Sequence, residues 1–110
     1  NAAPLDMRLL TELGPLDWHP APAPLRDAVA KARALCRERG VPLAQIAFQF
    51  ALRQPGPAAL LVGTVHPAEI DQWLAWRDAP VDEGLLRDLA SLFGPFVHAP
   101  HGVGLPENNR

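Results

Sequence analysis

The sequence predicts an α/β fold in which short strands alternate with more numerous helices. Apolar residues recur at helical spacing along several segments, and the short apolar run at residues 58–62, bounded by turn residues, is typical of a buried parallel strand. Glycine and proline separate these segments. The alternation favours strand–helix units over a four-helix bundle.

Two helices are predicted ahead of this strand. The first covers residues 25–39 and ends at Gly40, a residue type that readily takes the left-handed conformation that stops a helix. The second follows Pro42 and ends before the turn at residues 55–57. The apolar faces are Leu25, Val29, Ala32, Leu35 and Cys36 in the first helix and Leu43, Ile46, Ala47, Phe50 and Ala51 in the second.

Two further helices are predicted after the strand. One covers residues 67–76 and opens at Pro67, and the other is capped by Asp82. The apolar side of the last helix consists of Leu85, Leu86, Leu89 and Leu92 or Phe93. Prolines in residues 14–24 predict an extended surface loop, and residues 1–4 predict the end of a strand. Because two parallel strands cannot close a sheet, a fold built from these units alone is incomplete.

The composition limits the class of protein. At 110 residues the chain holds one domain at most and is well below the roughly 250 residues of a complete eight-unit α/β barrel. A net charge of -2, with no long run of one sign, argues against binding to nucleic acid or to a membrane surface. The single cysteine, Cys36, excludes an internal disulfide and predicts a buried or half-buried, inert thiol in a reducing cytoplasm.

The junction that follows residues 58–62 is the strongest candidate for ligand binding. Here the predicted strand turns through Gly63 into a helix that begins at Pro67. Backbone N–H groups in a first helical turn have no intrahelical partners, and the helix dipole is positive there. The sequence therefore predicts a site for the phosphates of a nucleotide that needs no cationic side chain.

Five segments of the chain resemble the aldo-keto reductase family, in particular its L-galactose- and L-fucose-type aldose dehydrogenases. The segments are NAAPLDMRLLTE at residues 1–12, GPLDWHPA at 14–21, VPLAQIAFQFAL at 41–52, LLVGTVHPAEI at 60–70 and HGVGLPENN at 101–109. Their order and spacing make the resemblance specific. It implies a (β/α)8 TIM barrel, of which residues 1–110 are expected to form the last two βα units and the C-terminal tail.

The resemblance places the family's catalytic Asp, Tyr, Lys and His in the part of the barrel that precedes these segments. This chain has no tyrosine, and its one lysine, Lys31, lies on a predicted surface helix. No catalytic residue is therefore assigned within the chain. In a complete barrel the tyrosine acts as general acid or base while hydride passes between the nicotinamide and the substrate carbon.

The resemblance also implies which residues hold the cofactor. The matching positions are Ala3, Leu5 and Met7 beside the pyrophosphate and ribose, Gly63, Thr64 and Val65 in the loop that holds the adenosine phosphate, and Glu69, Gln72 and Trp73 near the ribose and adenine. Glu69 stands where many members carry an arginine that binds the 2′-phosphate of NADP. A carboxylate there would repel that phosphate by on the order of a few kcal/mol at an effective dielectric constant of about 20, whereas it accepts a hydrogen bond from a free ribose hydroxyl. NAD is therefore favoured over NADP.

Simpler structural roles stay open for these positions. Glu69 gains from the dipole of its helix whether or not it meets a ribose. Gly63 is also an ordinary turn residue, and Thr64 or His66 is suited to cap the helix. One of the two tryptophans on this helix is expected to pack in the core.

A weaker set, Trp18 with the adjacent His19, and His98 and His101 in the tail, resembles places where the family lines its substrate pocket, although aromatic residues and histidines are also common in exposed loops. Metal binding by the two tail histidines is not expected. Proline lies between them, and no cluster of Cys or Asp nearby adds further ligands.

The sequence thus predicts the cofactor-binding portion of an NAD(P)-dependent aldo-keto reductase, whose complete barrel oxidises the C1 hydroxyl of an aldose to the lactone. The expected partners are a small aldose or carbonyl substrate and the remainder of the barrel or another chain. The alternative is a noncatalytic helical interaction module, or a degenerate barrel remnant, that docks onto another chain through its strand edge.

Overall fold

The computed structural model describes residues 1–97, and residues 98–110 lie outside the described part. The described elements are α1 (Ala23–Arg39), α2 (Leu43–Leu52), α3 (Pro67–Asp78) and α4 (Glu83–Phe93), followed by a 3-10 turn at Gly94–Phe96. All four predicted α-helices are present, so these predictions are confirmed. Among the described residues, no helix has both the length and the apolar character needed to cross a lipid bilayer.

Local chemistry fixes the ends of the helices. α1 stops because Gly40 takes a φ of 69° and its N–H bonds to carbonyls of the last helical turn. α3 begins at Pro67, whose missing N–H is no loss in a first turn. α4 begins after Asp82, whose carboxylate accepts a hydrogen bond from the Leu85 N–H at 2.9 Å. The predicted cap is therefore present.

The core lies where α1 packs against α4 and the start of α2. Its most deeply buried large side chains are Leu9, Val29, Cys36, Leu43, Ile46 and Leu85. Burying one aliphatic side chain of this size stabilises a fold by roughly 1.5–3 kcal/mol. Leu9 enters the core from the N-terminal segment, so this burial also ties that segment to the helices.

α3 packs on α2 through an aromatic cluster. The ring centroid of Trp73 lies 4.8 Å from that of Phe48 and 5.5 Å from that of Trp76. The buried Gln49 donates hydrogen bonds from Nε2 to the carbonyl oxygens of Trp76 at 2.9 Å and Ala79 at 3.1 Å. Carbonyls at the end of a helix have no intrahelical partner, so these bonds also complete the C-terminal end of α3.

The buried strand predicted at residues 58–62 is wrong. Within residues 1–97 there is no strand, only an isolated parallel bridge between Ala2 and Leu61. Leu61 and Val62 are 68% and 40% exposed. A parallel strand becomes buried when other strands flank it and helices cover both faces, and here its backbone partner in the described part is residues 1–3 alone. The described part is therefore helical, in contrast to the predicted alternation of strands and helices.

The proline-rich loop predicted at residues 14–24 is only partly a surface loop. It is free of α-helix until α1 begins at Ala23, as the prolines predict. However, His19 and Ala21 are buried, with exposed fractions of 4% and 6%. Proline restricts the backbone but does not determine which side chains turn inward, so the expectation of a fully exposed loop is wrong.

Leu85→Ala is expected to lower the free energy of unfolding by about 2–5 kcal/mol, because this buried side chain fills the core and its truncation leaves a cavity. Leu74→Ala removes the same atoms from a side chain that is 45% exposed, and its effect should stay below about 1 kcal/mol. Urea unfolding followed by circular dichroism measures both. Equal losses would contradict the placement of Leu85 in the core.

Cys36 is buried, as predicted, and burial raises the pKa of its thiol from 9.0 to about 11, with a smaller contribution from the Glu12 carboxylate. A disulfide reagent reacts when a thiolate attacks it, so it should label the native chain at least about tenfold more slowly than the urea-unfolded chain. Because the unfolded chain ionises its thiol first, the free energy of unfolding should fall as the pH rises from 9.0 toward about 11. Cys36→Ala should lack this loss. Rapid native labelling would contradict the burial.

Candidate functional site

Two distant segments meet at the parallel bridge. The Leu61 N–H donates to the Asn1 carbonyl oxygen at 2.8 Å, and the Ala3 N–H donates to the Leu61 carbonyl oxygen at 3.2 Å. Because the pairing is parallel, the residues after Ala3 and the residues after Leu61 leave the bridge at the same end. This geometry places residues 1–3 beside residues 59–61, shortly before the junction at residues 63–65.

The N-terminal segment turns sharply after the bridge. The turn is closed by hydrogen bonds from the Asp6 N–H to the Ala3 carbonyl at 3.0 Å and from the Leu9 N–H to the Asp6 carbonyl at 2.9 Å. A left-handed non-glycine residue costs roughly 1–2 kcal/mol, so surrounding contacts have to hold each one. Four such residues lie here: Ala3 (φ 51°), Asp6 (φ 47°), Met7 (φ 49°) and Arg8 (φ 75°). Two of the predicted cofactor residues, Ala3 and Met7, thus have strained backbone, and the third, Leu5, lies between them and is half-buried.

His19 joins the proline-rich loop to this strained turn. Its ring is buried, its Nδ1 accepts a hydrogen bond from the Ala21 N–H at 3.1 Å, and its Nε2 lies 2.9 Å from the Asp6 carbonyl oxygen. Since Nδ1 is an acceptor, Nε2 carries the hydrogen and donates it to that oxygen. Sequence reasoning placed His19, with Trp18, near a substrate pocket and missed this contact, because no local pattern indicates a contact between residues 13 apart.

At the junction, a threonine and a glutamate are joined by a hydrogen bond. Thr64 Oγ1 donates to a carboxylate oxygen of Glu69 and accepts a hydrogen bond from the His66 N–H at 3.0 Å. Glu69 lies in the first turn of α3, where the helix dipole stabilises a carboxylate. The place of Glu69 is that expected of its helix-supporting alternative. His66 occupies the N-cap position, but no side chain caps α3 by a hydrogen bond, so the capping role expected of Thr64 or His66 is wrong. Their contact with a cofactor stays a prediction.

The backbone beside this pair is open. Gly63 and Val65 are exposed, and Val65 has an exposed fraction of 88%. Among the described residues, no atom lies within 4 Å of the place that a Cβ at Gly63 would occupy. A ligand can therefore approach the main chain of residues 63–65 closely.

The two residues predicted for the adenine side differ in their surroundings. Gln72 is exposed on α3, whereas Trp73 is half-buried with its ring against Phe48 and Trp76. The indole Nε1 of Trp73 is buried and has no hydrogen-bond partner among the described residues. Trp73 therefore packs against α2, the role expected of one tryptophan on this helix, and its contact with adenine stays a prediction.

An apolar groove of about 470 Å³ lies between the N-terminal segment, α2 and α4. Its walls include Ala47 and Phe50 from α2 and Leu86, Ala90 and Phe93 from α4. Of the predicted cofactor residues in the described part, Ala3 alone lines this groove, and none lines a smaller pocket of about 200 Å³ beside Cys36. The junction residues thus stand outside both of these cavities.

The residues predicted for the substrate pocket are only partly described. His98 and His101 lie outside the described residues. Trp18 is 64% exposed in the loop before α1, with its ring stacked beside that of His19 at a centroid distance of 6.2 Å. Within residues 1–97, no group of three or more His, Cys, Asp and Glu side chains is arranged to hold a metal ion.

Thr64→Val is expected to loosen the start of α3, because valine keeps the shape but offers neither a donor to Glu69 nor an acceptor to the His66 N–H. Amide exchange at His66 and Glu69 should quicken by about 5- to 30-fold, the equivalent of about 1–2 kcal/mol. Thr64→Ser keeps the hydroxyl and should exchange as the original chain does. Thr11→Val, which removes an exposed threonine hydroxyl elsewhere, is the matched control. Identical exchange in the Thr64→Val and Thr64→Ser chains would contradict this role.

Comparisons with known proteins agree with the resemblance seen in the sequence. The model of the aldo/keto reductase family matches residues 4–92. L-galactose dehydrogenase of Arabidopsis thaliana is 29% identical over 112 residues, which cover 98% of this chain and 35% of that protein. Pyridoxal 4-dehydrogenase of Microbacterium luteolum is 31% identical over 75 residues, which cover 68% of this chain and 22% of that protein. The chain thus spans about a third of the length of the first relative and less of the second. It belongs to the aldo/keto reductase family.

Proposed function

We propose that residues 1–110 are the C-terminal, cofactor-binding portion of a single NAD(P)-dependent aldo/keto reductase barrel domain. The parallel bridge between Ala2 and Leu61 carries the proposal, because it sets the two predicted cofactor segments side by side. In (β/α)8 barrels the active site forms where the C-terminal ends of parallel strands meet. The names of the two relatives, L-galactose dehydrogenase and pyridoxal 4-dehydrogenase, support an oxidoreductase.

The proposed reaction of the complete barrel is oxidation of the C1 hydroxyl of an aldose to the lactone. The proton-transfer groups belong to the remainder of the barrel, since this chain has no tyrosine and its one lysine, Lys31, is exposed on α1. A bound nicotinamide supplies the hydride acceptor. In this proposal Trp18, His98 and His101 face the sugar, and the other named residues hold the cofactor.

The residues of the junction fit the adenosine phosphate. The open space at Gly63 lets a phosphate approach the main chain, and the start of α3 offers the positive end of a helix dipole. The full set proposed to contact the cofactor is Ala3, Leu5, Met7, Gly63, Thr64, Val65, Glu69, Gln72 and Trp73. The contacts proposed for residues 63–65 use the main chain, so they need no cationic side chain.

NAD is the proposed cofactor, and NADP the weaker alternative. The Glu69 carboxylate is held by Thr64 at the start of α3, near the proposed phosphate site. A negative charge there accepts a hydrogen bond from a free ribose 2′-hydroxyl and repels a 2′-phosphate.

The remainder of the barrel is the proposed protein partner. Leu61 and Phe50 are 68% and 48% exposed, and the groove between α2 and α4 is lined mainly by apolar side chains. Large contiguous apolar surfaces on soluble proteins mark contact sites. Strands and helices of the same barrel would cover these residues. A cytoplasmic location belongs to the same proposal, because the single buried thiol of Cys36 needs no oxidising compartment.

The second candidate function is a noncatalytic helical interaction module or a degenerate barrel remnant. The helical body of residues 1–97, with its open apolar groove, favours this candidate. In that case the groove and the edge at Leu61 would dock onto another chain.

A nucleotide titration separates the two candidates. NAD added to the chain should change the tryptophan fluorescence in a saturable way. NADP should bind at least about tenfold more weakly, since a repulsion of about 1.4 kcal/mol lowers the affinity by that factor. Glu69→Arg should reverse the preference by about tenfold. Glu38→Arg makes the same charge change on the exposed side of α1 and is the control, with the original preference expected.

Two outcomes would contradict the proposed cofactor role. One is the absence of a saturable response to either nucleotide, and the other is a preference for NADP in the unmodified chain. If neither nucleotide binds while sedimentation shows the chain in a stable complex with itself, the interaction module becomes the better account.

A further inference from the structure

We propose that His19 is a positioning residue for the nucleotide site. Its imidazole holds the carbonyl of Asp6 and thereby fixes the left-handed turn at residues 6–8, in the segment that follows the bridge to Leu61. This inference rests on the proposed function, because the turn contains Met7, one of the proposed cofactor contacts.

The hydrogen bonds of the ring give it a defined orientation. Nδ1 accepts from the Ala21 N–H at 3.1 Å, which leaves Nε2 as the donor to the Asp6 carbonyl at 2.9 Å. The Asp6 carboxylate also stands 4.0 Å from Nε2, and its negative charge favours a hydrogen on that nitrogen. The side chain of His19 is 0% exposed, so water does not compete for either nitrogen.

The loop that carries His19 is itself fixed to the helical core. Arg26, on α1, donates from Nη2 to the His19 carbonyl at 2.5 Å and from Nε to the Ala21 carbonyl at 2.9 Å. The neighbouring Leu25 and Val29 are buried in the core. A continuous series of contacts therefore runs from the core through Arg26 and His19 to the Asp6 carbonyl.

The turn needs such a contact because its backbone is strained. Asp6, Met7 and Arg8 have φ values of 47°, 49° and 75°, which only glycine adopts without cost. The Asp6 carbonyl oxygen accepts both the His19 Nε2–H and the Leu9 N–H, the latter at 2.9 Å. Loss of the His19 bond would leave the Leu9 N–H to hold this oxygen without the ring, so the peptide unit between Asp6 and Met7 would rotate more readily and Met7 would shift.

Two substitutions of His19 separate its two hydrogen bonds. The amide of glutamine reaches the place of Nε2, so His19→Gln keeps a donor to the Asp6 carbonyl and loses the acceptor for the Ala21 N–H. The shorter amide of asparagine reaches the place of Nδ1, so His19→Asn keeps that acceptor and loses the donor to Asp6. Each variant replaces the same ring with an amide and loses one bond, so they are matched for general loss of stability.

The NAD affinity of the two variants tests the proposal. It is measured by calorimetry and not by tryptophan fluorescence, because the ring of Trp18 stacks on that of His19. We expect His19→Asn to weaken NAD binding by about tenfold and His19→Gln by less than about threefold, at similar midpoints of thermal unfolding. Amide exchange of Leu9, which reports on the turn without any nucleotide, should quicken more in the His19→Asn chain than in the His19→Gln chain.

Equal losses of affinity in the two variants, no loss in either, or a larger loss with glutamine would overturn the positioning role. If the unmodified chain binds no NAD, the proposed function fails. The exchange rate of Leu9 then still decides whether the bond to Asp6 holds the turn, so the two failures are distinguishable.

Discussion

The parallel pairing of Ala2 with Leu61 is the contact on which the geometry of the candidate site depends. Its two backbone hydrogen bonds, at 2.8 and 3.2 Å, together contribute only about 1–3 kcal/mol. The pairing therefore depends on contacts elsewhere in the chain. Behind the N-terminal segment, Leu9 is buried in the α1–α4 core, and beyond the junction α3 packs on α2 through its aromatic cluster. The helical core thus sets the relative position of two exposed segments that lie outside it.

The elements that the sequence predicts correctly have causes that lie within a few residues. Gly40 ends α1 through its own left-handed φ, and Asp82 caps α4 through a hydrogen bond to a residue three positions away. The strand at residues 58–62 is different, because an apolar run is buried only when partners from elsewhere cover it. Its composition is that of a buried strand, and the described part of the chain supplies too little backbone and too few side chains to bury it.

The candidate site shows the same division between local and distant causes. The bond between Thr64 and Glu69 joins side chains only five residues apart, and each residue was singled out from the sequence. The left-handed turn after the bridge has no signal in the local sequence. Asp and Met ordinarily favour other backbone conformations, and the turn contains no glycine, the residue that usually indicates a left-handed backbone. For a related reason, sequence reasoning missed what His19 contacts. The prolines around it indicate an extended loop, but its contact with Asp6 exists only after the loop has folded back onto the N-terminal segment.

The structural and functional roles considered for Glu69 are compatible, because both come from the same charge. At the start of α3 the carboxylate interacts favourably with the helix dipole, and the Thr64 hydroxyl fixes its position without neutralising it. A cofactor phosphate in the proposed site would use that dipole as well, so the carboxylate and the phosphate would share one positive helix end. In the proposed site a free ribose hydroxyl beside Glu69 would donate a hydrogen bond to the carboxylate, whereas a phosphate in its place would add repulsion. In the proposed site, a residue that stabilises the helix therefore also discriminates between the two nucleotides.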